Sequence, residues 1–264
     1  MMQQHFRVLV SYKGSNYYGW QDLGDGGKKP TIQFEILQSL RKICNYEECL
    51  VSGASRTDAG VHALGQVAKL TLPIEIAPKR LQLGLNSLLP SEIRISACEI
   101  CGPDFNPAKK NSSKTYRYYF SIGEISSPIL SDIVSQLSLT KNDSACAKLA
   151  LEKMRKACRL FVGEYDFYNF STNDKKVKST VRKISRLELL NANSMYFGRE
   201  VYYFEINGDG FLKHMIRYIV GSMFDLAKDV IDFEEIKNAL QVRLPHKISA
   251  KVKSKGLHLI KINY

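Results

Sequence analysis

Arg56, Asp58 and His62 fall close together in the run Gly53-Ala54-Ser55-Arg56-Thr57-Asp58-Ala59-Gly60-Val61-His62-Ala63-Leu64-Gly65-Gln66-Val67. The small residues of this run let a backbone come close to something bulky. A carboxylate held in such a loop can act as a nucleophile or a base. A guanidinium beside it can pair with the carboxylate or with a phosphate, because its planar fork matches both. The same residues also suit a plain polar hairpin, in which Arg56 and Asp58 form a surface ion pair worth little and His62 is a structural histidine. Residue types alone leave both readings open and specify no reaction.

Any such loop must be held by the elements around it. Residues 6–12 read as a strand running into the turn residues Gly14, Ser15 and Asn16. Residues 22–30, rich in glycine and lysine, read as a mobile loop. Thr31 can cap a helix running to about Cys44, with Phe34, Leu37 and Ile43 turned inward. Short strands near 50–54 and at 67–72 flank the Asp58 run. A helix over 78–89 closes at Pro90, and residues 93–100 form a strand. The stretch 102–113, rich in Pro, Asn, Ser and Lys, is the best boundary candidate. Beyond it come a strand at 115–122, a long helix at 144–161 and strands at 181–190 and 201–206. A strongly apolar helix at 211–228, an amphipathic one at 233–241 and a closing strand at 257–263 complete the chain.

Each half therefore reads roughly β-α-β-β-α-β, the split βαβ or ferredoxin-like order. The expected class is α+β, with two ferredoxin-like halves, 1–105 and 106–264, sharing a mixed, mainly antiparallel sheet with helices on one face. The second half is expected to supply the long helix and the closing strand.

The charge balance narrows the partners. Lys and Arg number 38 against 26 Asp and Glu, a formal net charge of +12, which points to a polyanion and first to nucleic acid. Basic charge by itself also describes an ordinary soluble protein. Of the 6 cysteines, Cys98 and Cys101 have the spacing of half a zinc site, and Cys44 and Cys49 form a looser pair with no His at metal spacing. On a strand the two thiols of Cys98-x-x-Cys101 point to opposite faces, so buried reduced thiols are the better reading. No secretory signal and no apolar run of membrane length is present, which fits a reducing cytoplasm.

The run Arg56-Thr57-Asp58-Ala59-Gly60-Val61-His62-Ala63 resembles the signature of the TruA family of tRNA pseudouridine synthases. Other segments resemble the family's motifs in the same order. They are Tyr12-Lys13-Gly14 with Tyr18-Gly19-Trp20-Gln21, Thr31-Ile32-Gln33, Leu85-Asn86 through Leu89-Pro90, and Lys114-Thr115-Tyr116-Arg117-Tyr118. Gly163-Glu164-Tyr165-Asp166-Phe167 with Phe170, Val181-Arg182-Lys183-Ile184, Gly210-Phe211-Leu212-Lys213-His214-Met215-Ile216-Arg217 and Gly256-Leu257-His258-Leu259 follow. The likeness covers nearly the whole chain. Lys13 stands where the family usually has Asp, Ala108 with Lys109 where it has Arg, and the loop between Gln21 and Thr31 is rich in glycine and lysine.

The resemblance implies an enzyme that isomerises uridine to pseudouridine in tRNA, on the 3′ side of the anticodon loop and in the adjoining stem. It implies Asp58 as the catalytic carboxylate, Tyr116 as the active-site tyrosine and Leu257 as an apolar wall of the pocket. Arg56 would fill the space a flipped-out base leaves or hold the displaced backbone. The half 1–105 would carry the catalytic Asp and RNA-binding surface, and the half 106–264 the tyrosine. Lys109, Lys110, Lys114, Arg117, Lys213 and Arg217 are candidate phosphate contacts, which position RNA without reading bases. The resemblance further implies a homodimer and a tRNA partner, with no metal, no other cofactor and no membrane. Competing readings are the same chemistry at other RNA positions, a non-catalytic tRNA-binding chaperone and a protein-interaction module.

Overall fold

The computed structural model describes residues 3–109, 111–123, 127–139, 144–172, 174, 177–192 and 200–264. They form two compact units, Met1–Ser112 with His258–Tyr264, and Ser113–Leu257. The sequence suggested a division at 105/106 with the closing strand in the second half. That strand instead lies with the first unit, because its residues pair there: His258 with His62 and Leu259 with Ala63.

In the first unit, β1 (Gln4–Tyr12) buries Phe6, Val8, Val10 and Tyr12 in strict alternation, as a half-buried strand must. It pairs antiparallel with β3 (His62–Leu72) on one side and with β4 (Ile93–Ile100) on the other. The short β2 (Leu50–Gly53) pairs antiparallel with β3 over Ala68 to Thr71, and the last strand, β10 (Leu257–Asn263), pairs parallel with the start of β3. As the central strand, β3 is buried on both faces at most positions. It begins at His62, five residues earlier than the sequence suggested, because β1 and β10 pair with its first residues.

The Thr31 hydroxyl accepts the Phe34 N–H and starts α1 (Ile32–Ile43). Its inward stripe is Ile32, Ile36, Ser39 and Leu40. Phe34, Leu37 and Ile43, which the sequence placed inward, are half-buried flanks, and the Phe34 ring lies against Gly27 of the preceding loop. Proline at its first position opens α2 (Pro78–Leu88), which buries Leu81 and Leu85. Asn86 then acts as a backbone substitute. Its amide donates to the Ile95 carbonyl at 2.9 Å and accepts the Ile95 N–H at 2.8 Å.

The second unit contains β5 (Ser113–Ile122), β6 (Ser135–Leu137), α3 (Ser144–Cys158), β7 (Gly163–Asp166), β8 (Val181–Asn191), β9 (Val201–Gly208), α4 (Met215–Ala227) and α5 (Phe233–Gln241). Its strands lie in the order β6-β5-β9-β8-β7, antiparallel except for β6 with β5. Tyr118 and Phe120 on β5 meet Phe224 of α4 edge to face. The class is α+β, as expected. The helix expected at 211–228 starts only at Met215, because His214 holds a left-handed φ of 63° and cannot be a helical residue. A capping box between Asp232 and Glu235 opens α5. Strands β6 and β7 carry no sequence signal, since three or four residues show no readable period.

Among the described residues no helix is long and apolar enough to cross a membrane. No group of three or more His, Cys, Asp or Glu side chains lies together there as a metal site would need. Cys98 and Cys101 are only half-buried, and burial pushes the Cys98 thiol up to about 11. They are less enclosed than expected because β4 pairs on one side only in this unit, with β1.

Candidate active site

Asp58 stands between β2 and β3 as the first residue of a turn. The Val61 N–H closes that turn on the Asp58 carbonyl at 3.2 Å. Gly60 is its third residue and holds φ at 75°, the value a type II turn demands there and an L side chain resists. The spacing Asp58-Ala59-Gly60-Val61 is therefore turn chemistry that also presents a carboxylate.

The turn is fastened to the segment after β1. The Gly60 N–H donates to the Tyr17 carbonyl at 3.2 Å, and the Trp20 N–H donates to the Thr57 carbonyl at 3.1 Å. The Thr57 hydroxyl meets the Tyr12 hydroxyl at 2.7 Å inside the unit. Tyr17 stays a neutral phenol: burial, with Glu92 and Glu35 adding to it, pushes its pKa up to about 12. The approach from β2 is held by Gln66, which is fully buried. Its amide accepts the Ser55 N–H at 3.1 Å and donates to the Ser55 carbonyl at 2.6 Å, replacing the neighbouring strand that the backbone lacks there. Asp58 itself is half-buried and Arg56 exposed, while Thr57 between them is buried. A carboxylate and a guanidinium thus stand on a loop whose backbone is held at Ser55, Thr57, Asp58 and Gly60.

In the second unit, Tyr116 on β5 is 6% exposed, and its ring meets Phe211 edge to face, with centroids 5.4 Å apart. Phe211 belongs to the turn before α4. Asp209 secures that turn: its N–H donates to the Lys183 carbonyl, and its carboxylate accepts the Lys183 N–H. His214 closes it, with Nδ1 at 2.7 Å from the Thr172 hydroxyl. Leu257 is 6% exposed.

The basic candidates divide. Lys109 and Lys213 are exposed. Lys114 is half-buried on the same face of β5 as Tyr116, and burial lowers its pKa. Arg117, one residue further along, points to the opposite face. There it donates to Glu205, its partner on β9, at 2.8 Å and lies over the Tyr203 ring. The strand thus separates Arg117 from Tyr116, and its Nε is held in a cross-strand ion pair. Arg217 is half-buried, and its Nε donates to the Val252 carbonyl at 2.8 Å. Lys110 lies outside the described residues.

Sequence reasoning overlooked Tyr12, Gln66 and Phe211 as supports. For Gln66 a signal existed, a polar side chain inside the apolar run of β3. For Tyr12 and Phe211 there was none, because aromatic residues on a strand or beside a helix read as core.

The family model described as tRNA pseudouridine synthase matches residues 8–107 and 157–264. The tRNA pseudouridine synthase A 2 of Desulfotalea psychrophila is 43% identical over 261 residues, covering 98% of this chain and 98% of the relative. The tRNA pseudouridine synthase A of Thermodesulfovibrio yellowstonii is 34% identical over 265 residues, covering 98% of this chain and 99% of that one. That of Acetivibrio thermocellus is 31% identical over 261 residues, covering 99% and 100% respectively.

Proposed function

The chain belongs to the tRNA pseudouridine synthase family and is an isomerase, and from that premise we propose that it acts on uridines of the anticodon stem-loop with Asp58 as the reacting carboxylate. The observation that carries the assignment is the placement of Asp58, half-buried at the head of a turn fixed from Tyr12, Tyr17 and Trp20.

The reaction exchanges a bond from ribose to N1 of uracil for one to C5. N1 gains a hydrogen and C5 gives one up, so product and substrate are isomers and no electrons are transferred. The base must detach, turn and reattach without escaping. Asp58 starts this by adding to uracil C6, by attacking the anomeric carbon or by removing a ribose proton, and each route uses the ionised carboxylate. Tyr116 stacks on the loose ring, and its hydroxyl serves proton transfer at C5. Leu257 supplies an apolar wall. A uridine in a stem must be flipped out first, and Arg56, exposed beside Asp58, takes the vacated space or the displaced backbone. Lys109, Lys110, Lys114, Lys213 and Arg217 hold phosphates. Arg117, whose Nε is held by Glu205, joins them through its remaining N–H donors. A homodimer lengthens the basic surface enough to hold a whole tRNA, and the enzyme works in the cytoplasm.

The test is release of tritium from tRNA labelled at uracil C5, with wild type beside Asp58→Ala. Release by the wild type alone, mapped to the anticodon stem-loop, is expected. Normal release by Asp58→Ala would remove Asp58 from its role, and release from other uridines would redirect the substrate assignment.

A further inference from the structure

His62 stands in the same run as Asp58, yet the chemistry above gives it no task. The residue is 3% exposed. Nδ1 accepts the Gly14 N–H at 3.2 Å, and the ring lies nearly flat on that of His258, with centroids 4.5 Å and planes 21° apart. A ring that accepts at Nδ1 is neutral, with its hydrogen on Nε2.

Gly14 and Tyr17 are the two ends of one tight turn, closed by the Tyr17 N–H on the Gly14 carbonyl at 3.0 Å. The Asp58 segment grips this turn at both ends. At one end the Gly60 N–H donates to the Tyr17 carbonyl, and at the other the His62 ring accepts from Gly14. Gly14 also lies hard against the segment, since a Cβ there would stand 2.0 Å from the Val61 carbonyl oxygen. A hydrocarbon side chain at 62 could fill the same space. It could not accept the Gly14 N–H, and a buried donor left without a partner is costly.

We propose that His62 is a positioning residue for the isomerisation, acting through its Nδ1 acceptor to lock the Asp58 turn onto the Gly14–Tyr17 turn. The inference rests on the assignment of Asp58 made above. Removing the acceptor lets the turn shift, and the carboxylate shifts with it. Binding of tRNA, which phosphate contacts dominate, is left alone.

Two variants separate the acceptor from the packing. His62→Phe keeps a flat ring and loses the acceptor. His62→Asn puts an amide oxygen where Nδ1 was and loses the ring. The expected result is a fall in kcat of roughly tenfold to a hundredfold for His62→Phe, at unchanged KM for tRNA, with most of the loss recovered in His62→Asn. Amide hydrogen exchange at Gly14 and over residues 58–61 should quicken in His62→Phe and return toward wild type in His62→Asn. Wild-type turnover in a folded His62→Phe, or a His62→Asn no better than His62→Phe, overturns the proposal. The exchange readout does not depend on activity, so unchanged exchange at Gly14 refutes the lock even where Asp58→Ala confirms the catalytic carboxylate. Should His62→Phe fail to fold, His62→Leu removes the acceptor with less bulk and is read the same way.

Discussion

Gly19 offers a direct way to disturb the Asp58 turn without touching a charged group. Its φ is +98°, and a Cβ on it would stand 2.6 Å from the Thr57 carbonyl oxygen, 3.1 Å from the Asp58 carbonyl carbon and 3.2 Å from the Ala59 nitrogen. Gly19→Ala therefore brings two penalties. The left-handed backbone costs an L residue ~1–2 kcal/mol. The clash is with backbone and not with a flexible tip, so the Thr57 carbonyl must retreat by roughly half an ångström or more to reach ordinary contact. That carbonyl also accepts the Trp20 N–H, and losing the bond costs about 1 kcal/mol. The expected destabilisation is about 2–4 kcal/mol, read as a lower denaturant midpoint at unchanged slope. Turnover, measured by C5 tritium release where the variant is still folded, should fall by up to ~100-fold, because the displaced carbonyl adjoins Asp58. Gly24→Ala is the control. Its φ is +69° with nothing within 4 Å of the added carbon, so it should show the strain penalty alone and keep its activity. A Gly19→Ala protein with the midpoint and turnover of wild type would show that the contact with the Thr57 carbonyl does not hold the Asp58 turn in place.

Tyr116→Phe keeps the edge contact with Phe211 and loses only the hydroxyl, so it should fold and bind tRNA while losing roughly a hundredfold or more in rate; a wild-type rate would reduce Tyr116 to packing. Binding of tRNA should weaken steeply with salt, the logarithm of the affinity falling linearly by about 0.7–0.9 per phosphate neutralised; a flat response would move the RNA off the basic surface. Asp166 supplies a pH test. Burial works against its charge, but hydrogen bonds from Thr180, Arg243 and the Tyr168 N–H outweigh that and hold its carboxyl below the ordinary value of 3.8. A depressed folded value means that its stabilisation is present above the unfolded value and fades as pH falls through the folded one. Stability of Asp166→Asn should therefore fall less on acidification than that of wild type, and equal acid slopes in denaturant unfolding would dismiss the contribution.

Sequence alone determined the order of most elements, the cap at Thr31, the proline start of α2 and the run around Asp58. These are local: a cap, a turn glycine or an alternation such as Phe6, Val8 and Val10 declares itself within a few residues. It also carried the family, because motifs spread along the whole chain keep their order. Tertiary structure decided what depends on partners distant in the chain. Pairing with β3 put the strand after Leu257 into the first unit, although it comes last in the chain. The ion pair with Glu205, 88 residues away, gave Arg117 a cross-strand partner that its own neighbours in the sequence do not reveal. Around the Asp58 turn, Gln66, Tyr12 and His62 found hydrogen-bond partners 11, 45 and 48 positions away. Side-chain type says what such a residue can donate or accept, and only the folded chain supplies the group it meets.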